Sequence, residues 1–265
     1  MRHDRTPDAG LADRWQPMIW TGDASWADWR RAHREAVRAA TVLGASGGRL
    51  VWAADHGVLR AEPPGERDAL PLVGLRLRDL TLVVVDERGE LFKTWPLAGH
   101  TPRETQARLH EHAASCEPCA ATAPVEGTQD EAPFVLGDEG ARELLERWLV
   151  NAEAVLSSVG RRTAGAAPVA CDGRTLSLSL CVALPTRAGE EPRRVEVSAT
   201  TAHDDAGAEP ALTVSSSPGG ASAALSLAEL AALGDGRAQA ARVEVFLREG
   251  LPVAHAAVQR EWRTR

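Results

Sequence analysis

Leu176-Ser177-Leu178-Ser179-Leu180-Cys181-Val182-Ala183-Leu184 puts an apolar side chain at every second position, with serine, cysteine or alanine between. Successive side chains of a strand point to opposite faces, so this stretch reads as a half-buried β-strand. One greasy face and one wet face mean an antiparallel sheet covered on a single side. Upstream, Asp138 opens a helix whose Ala141, Leu144, Leu145, Trp148, Leu149, Ala152, Val155 and Leu156 make a broad apolar face. Downstream, Arg194–Thr200, Ala211–Ser215 and Arg242–Leu247 read as further strands. Ser226-Leu227-Ala228-Glu229 starts a short helix that Gly234 stops. The tail from Pro252 to Trp262 reads as an amphipathic helix.

The same order stands once more, earlier in the chain. Ser25-Trp26-Ala27-Asp28 is a capping box, and Trp26, Trp29, Ala36, Val37, Ala40 and Leu43 form one helical stripe. Short apolar or alternating runs follow at Arg49–Ala53, Val58–Ala61, Pro71–Arg78, Leu80–Val85 and Glu90–Leu97, with a hairpin turn at Asp86-Glu87-Arg88-Gly89. Thr101-Pro102-Arg103-Glu104 then caps another helix, with proline where its missing N–H costs nothing. Residues 117–133 are polar, small and turn-prone, and read as a linker. The prediction is an α+β chain of two lobes, residues 1–116 and 134–265. Each is an antiparallel sheet backed by helices around its own core, and the repeated order is compatible with an internal duplication.

Composition bounds the function. The 265 residues are 44% hydrophobic and 25% charged, enough apolar material for packed cores and too much for wholesale disorder. A formal charge of −7 argues against a general nucleic-acid or anionic-membrane binder. Tyrosine is missing and Lys93 is the sole lysine, which closes Tyr–Lys mechanisms and any GxxxxGK[ST] phosphate loop. The polar start Met1-Arg2-His3-Asp4-Arg5 and the lack of a membrane-length apolar run predict a soluble, cytoplasmic protein. Four cysteines, Cys116, Cys119, Cys171 and Cys181, are too sparse for a disulfide scaffold, leaving them as thiols or ligands.

The most chemical stretch is His110-Glu111-His112-Ala113-Ala114-Ser115-Cys116-Glu117-Pro118-Cys119. On a helix His112 and Cys116 lie one turn apart on one face, and Cys119 follows where Pro118 ends it. Imidazole and thiolate are the donors Zn²⁺ prefers, so His112, Cys116 and Cys119 can close three corners of a tetrahedron. His100, His56 or Asp55 are candidates for the fourth, whereas His110 is rotated about 200° from His112. The bland reading makes Leu109, His112, Ala113 and Cys116 a core-facing stripe. A redox role for Cys116 and Cys119 is disfavoured, because an activated thiol wants a helix N-terminus. Asp55-His56 and His203-Asp204-Asp205 are further polar groups, each read first as a turn or solvated loop.

Two resemblances attach to these residues. The ten residues from His110 are similar to the zinc motif of bacterial anti-sigma factors, which would make His112, Cys116 and Cys119 metal ligands. That motif's upstream cysteine has no counterpart here, and Ala113 stands where leucine is usual. Over most of its length the chain resembles the uncharacterised bacterial domain-of-unknown-function family 5996. The likeness rests on Trp26-Ala27-Asp28-Trp29, Val42-Leu43-Gly44, Gly57-Val58, Leu72–Val85, Phe134, Trp148, Asn151, Pro168-Val169-Ala170-Cys171 and Glu209-Pro210-Ala211-Leu212-Thr213-Val214. Asp172-Gly173-Arg174 replaces that family's His-His-Phe-Asp block. This resemblance implies a fold more than an activity. The expectation is therefore a non-enzymatic binding or regulatory module for an unknown protein or small molecule. The alternatives are a zinc-binding regulator using His112, Cys116 and Cys119, or a hydrolase-like enzyme built on Asp55 or His203.

Overall fold

The structure is a computed structural model that describes residues 10–19, 25–45, 49–53, 57–62, 72–85, 91–115, 131–186, 192–201, 209–217, 220 and 222–263. A short helix α1 (Leu11–Arg14) precedes the long helix α2 (Trp26–Gly44). Five strands follow, β1 (Arg49–Ala53), β2 (Val58–Glu62), β3 (Leu72–Arg76), β4 (Thr81–Val85) and β5 (Leu91–Pro96), and then helix α3 (Pro102–Ser115). The second half repeats this with helix α4 (Glu139–Arg162) and strands β6 (Ala170–Asp172), β7 (Ser177–Leu184), β8 (Arg193–Thr200), β9 (Ala211–Ser217) and β10 (Ser222–Ser226). Helices α5 (Leu227–Ala231) and α6 (Gly236–Arg263) close it. Each set of five strands is an antiparallel meander, β1-β2-β3-β4-β5 and β10-β9-β8-β7-β6. The fold is α+β, with two sheets in two lobes. No helix among the described residues is long and apolar enough to cross a membrane.

Local sequence explains the starts of these elements. Ser25 accepts from the Asp28 N–H while the Asp28 carboxylate accepts from the Ser25 N–H, and Ser226 and Glu229 do the same at α5. Thr101 and Glu104 form the matching pair at α3, and Asp138 caps α4 through the Ala141 N–H at 2.8 Å. Three strands are each preceded by a residue in the left-handed region. Gly57 (φ 59°) precedes β2, Leu80 (φ 47°) precedes β4, and Leu176 (φ 52°) precedes β7. A leucine in that region costs about 1–2 kcal/mol. Full burial of both leucine side chains offsets it.

The strand alternation sets the inner face. On the second sheet Leu178, Leu180, Val182, Val195, Val197, Ala199, Leu212 and Val214 point under the helices. The expectation of two separate cores is not met. Buried side chains of both halves form one apolar cluster, running from Trp29, Leu43, Leu59 and Leu82 through Trp148 and Val155 to Val197 and Phe246. The reason is the pairing of helices: α2 packs against α4, and α4 in turn lies on β1 of the first sheet and on β7 and β8 of the second. Strand β1 runs beside β6, where Arg49 donates to the Val169 carbonyl at 2.6 Å. Gly173 makes that approach possible, since a Cβ there would stand 2.3 Å from Leu50 Cδ1.

Two elements differ from expectation. Arg242–Leu247 is not a strand but the middle of α6, which continues through Pro252 to Arg263. Its Arg-Val-Glu-Val run alternates, yet the residues buried along the helix are Ala240, Val243, Phe246, Ala254 and Val258, a helical spacing. Pro252 is exposed and the helix carries it, so the tail is not a separate helix. The turn at 86–89 lies outside the described residues, as does most of the expected linker. Its end is held: Arg38 donates to the Ala132 carbonyl at 2.5 Å, and the Phe134 N–H donates to the His100 carbonyl at 2.8 Å.

Candidate functional site

Where α4 begins, it meets the β3–β4 loop and Gly57, and charged side chains gather there. Arg142 is buried, and the donors of its guanidinium need acceptors. It finds them in the carbonyls of Arg78 (2.6 Å), Leu136 (2.5 Å) and Gly137 (2.9 Å). Arg76 grips Asp79 with Nε at 2.9 Å and Nη2 at 2.6 Å, and Glu143 takes Arg78 at 2.6 Å and Arg147 at 3.3 Å. Exposed ion pairs of this kind contribute about 1 kcal/mol or less each.

Glu146 sits among them in a different state. Its Oε2 is sealed from solvent and has no hydrogen-bond partner among the described residues. Burial pushes its carboxyl above the ordinary glutamate value; the Arg78 backbone and the Arg78 and Arg76 charges oppose this, and Asp79 adds to it. Asp79 behaves oppositely. Burial raises it, but the bond and charge of Arg76 outweigh burial and hold it below the ordinary aspartate value. Two neighbouring carboxyls pushed apart in this way can keep one proton and one charge side by side. Gly57 leaves room for the pair: a Cβ there would lie 3.0 Å from Glu146 Oε1.

A pH-dependent consequence follows for Glu146. The folded chain holds this proton more tightly than the unfolded chain does. The associated stability is therefore complete below the ordinary glutamate range and is lost as pH climbs through the raised value. Glu146→Gln is expected to melt higher than the wild type near about pH 8, with the gap closing towards about pH 4. Melting curves at both pH values check this, and an equal gap at both would contradict it.

The residues singled out from sequence fare unevenly. Helix α3 carries His112, but the His112 side chain and the residues Cys116 and Cys119 lie outside the described residues. The same holds for Asp55, His56 and His203-Asp204-Asp205. Pro102, Thr105 and Leu109 face inward on α3, and the stripe they begin continues in sequence to His112 and Cys116. His100 stands before the N-terminus of α3, where its Nδ1 lies 3.6 Å from Glu104. At 1.5 Å per residue it is about 18 Å from His112 along the axis, too far to share a metal. Cys171 and Cys181 are free thiols. Burial chiefly, with Asp172 helping, pushes Cys171 up to about 12, so it stays protonated and packs as a small apolar group.

Sequence reasoning passed over the buried polar ties. His33, on the inner face of α2, has Nε2 at 2.8 Å from Thr201 Oγ1 and 3.1 Å from the Thr175 carbonyl. The Thr201 hydroxyl donates to that same carbonyl at 2.5 Å, so Nε2 carries the hydrogen and donates. Trp29 and Trp148 cap the end of β8 from the two helices, donating to the Thr201 and Thr200 carbonyls at 3.0 and 3.1 Å. The helical stripe predicts buried tryptophans there, but nothing in it predicts their acceptors.

The other face of the second sheet is open and built of small polar groups. Rows across the strands read Ser179, Ser198, Thr213, Ala224 and Cys181, Glu196, Ser215, Ser222. Ser198 and Thr213 hydroxyls meet at 2.6 Å. This face ends at β10, where Ser222, Ala223 and Ala224 are all exposed. Comparison with known proteins matches the chain to no family model, no curated protein and no solved structure.

Proposed function

We propose that this protein is a non-enzymatic binding module that engages a partner through the outer edge of β10. The observation that carries the reading is the character of that edge. Strand β10 ends its sheet, its first three residues are exposed, and its side chains carry no charge. An edge strand offers a row of backbone donors and acceptors to any chain laid beside it. The interior polar groups with the best geometry, His33, Thr201, Asn151, Gln239 and Arg142, are engaged in holding segments of the chain to one another. This supports a scaffold role for the interior and an interaction role for the edge.

A photoreactive phenylalanine derivative placed at Ala224, and separately at Ser179 on the same open face, tests this in lysate of cells producing the protein. A defined cross-linked product from position 224 that position 179 does not give is expected. No product at 224, or the same products at both, would contradict the reading.

A further inference from the structure

Residues 15–18 run between α4 and α6 without regular secondary structure, held by two side-chain amides. Asn151 on α4 accepts from the Gln16 N–H at 2.8 Å and donates to the Gln16 carbonyl at 2.7 Å. Gln239 on α6 accepts from the Met18 N–H at 2.8 Å and donates to the Met18 carbonyl at 3.2 Å. Each amide makes the paired contact that a neighbouring strand would make, at alternate residues, and such contacts read a backbone whatever its side chains. Gln16 is exposed, so its own side chain is not read. Side chains are selected at two places. Trp15 is buried and its indole N–H donates to Gln239 Oε1 at 3.0 Å, while Met18, three residues on, is 0% exposed. Between them Pro17 lies over Gly236, where a Cβ would stand 2.9 Å from the proline Cγ.

We infer that the groove between α4 and α6 is a peptide-binding site, its ligand an extended peptide with a tryptophan and a long apolar side chain three residues later, and that residues 15–18 fill it in cis. The site is separate from the β10 edge and does not rest on that reading. Asn151 and Gln239 are both 0% exposed. An empty groove would leave their donors and acceptors unpaired between two helices, which is costly. A peptide of the same pattern makes the same bonds, so exchange for the resident segment loses none of them. No strand ladder among the described residues has to break for that exchange, because side chains supply the hold on Gln16 and Met18. What favours the resident segment is its tether: a segment joined to its own groove acts at an effective concentration on the order of millimolar. The wild-type groove is therefore closed to dilute peptide and opens to it when the resident segment is weakened.

Fluorescence anisotropy of a labelled synthetic peptide with the sequence of residues 10–19, titrated with the full chain, tests the inference. Trp15→Ala weakens the resident segment and leaves Asn151 and Gln239 in place. This variant is expected to bind the peptide at least about tenfold more tightly than the wild type does. Adding Gln239→Leu to it is expected to abolish binding. Phenylalanine in place of the peptide's tryptophan should weaken binding about fivefold, as loss of one hydrogen bond does. If Trp15→Ala fails to fold by circular dichroism, Met18→Ala takes its place. If the double variant fails to fold, the phenylalanine peptide decides in its stead. No binding by the weakened chain, equal affinity for it and the wild type, binding that survives Gln239→Leu, or equal affinity for the two peptides overturns the site.

Discussion

Trp29→Ala is expected to destabilise the protein by about 3–5 kcal/mol, the usual cost of removing a large aromatic from a closed core. The side chain is 0% exposed and lies 6.2 Å from Trp26, ring edge to ring face. Its indole N–H bonds the Thr201 carbonyl at the end of β8. One substitution on a helix of the first half therefore removes apolar contact, leaves a cavity, and orphans a buried carbonyl of the second half. Because one cluster includes both halves, the loss should appear as a single urea transition shifted as a whole. Trp29→Phe should recover most of the packing but not the hydrogen bond. Two transitions in the wild type, with only one moved by the mutation, would show that the halves are cored separately after all.

Gln239→Leu is expected to cost about 3 kcal/mol through unmet hydrogen bonds, with little change in volume. Among the described residues no strand pairs with residues 16–18, and side chains hold the backbone of Gln16 and Met18. Gln239, 0% exposed on α6, accepts from Trp15 Nε1 at 3.0 Å and the Met18 N–H at 2.8 Å, and donates to the Met18 carbonyl at 3.2 Å. Asn151 on α4, also fully buried, makes the equivalent pair with Gln16, at 2.8 and 2.7 Å. The two amides clamp one extended segment from two helices. Leucine at 239 leaves three buried groups unpaired and should open residues 10–19 to protease before the rest of the chain unfolds. An unchanged melting temperature together with unchanged proteolysis would contradict this account of the clamp.

What the sequence made legible was whatever rests on local chemistry. The capping pairs at Ser25, Thr101, Asp138 and Ser226 fix helix starts through contacts three residues apart, and the strict alternation from Leu176 to Leu184 fixes a strand and its inner face. Strand β10 was not legible, because Ser-Ala-Ala-Leu-Ser has no β-branched residue and owes its form to pairing with β9. The Arg242–Leu247 run alternates and is helical, since Val243 fits either period, Val245 the strand's and Phe246 the helix's, and only packing on β9 decides. The candidate groups were hidden for a similar reason. Glu146, Gln239 and Asn151 are ordinary polar residues, and their roles arise from partners tens to hundreds of positions away. The lack of charge from residue 210 to 228 was in plain view, but it acquires meaning only once β10 is seen to end a sheet.

The most direct test of β10 as the interacting edge is amide hydrogen exchange on the intact chain, compared between the protein alone and the protein bound to the partner captured at position 224. Peptides covering Ser222–Ser226 are expected to gain protection in the complex, while those covering Leu91–Pro96, the edge that carries Lys93 and Pro96, exchange alike in both. Equal exchange of the β10 amides with and without the partner, or protection gained at β5 instead, would contradict the account.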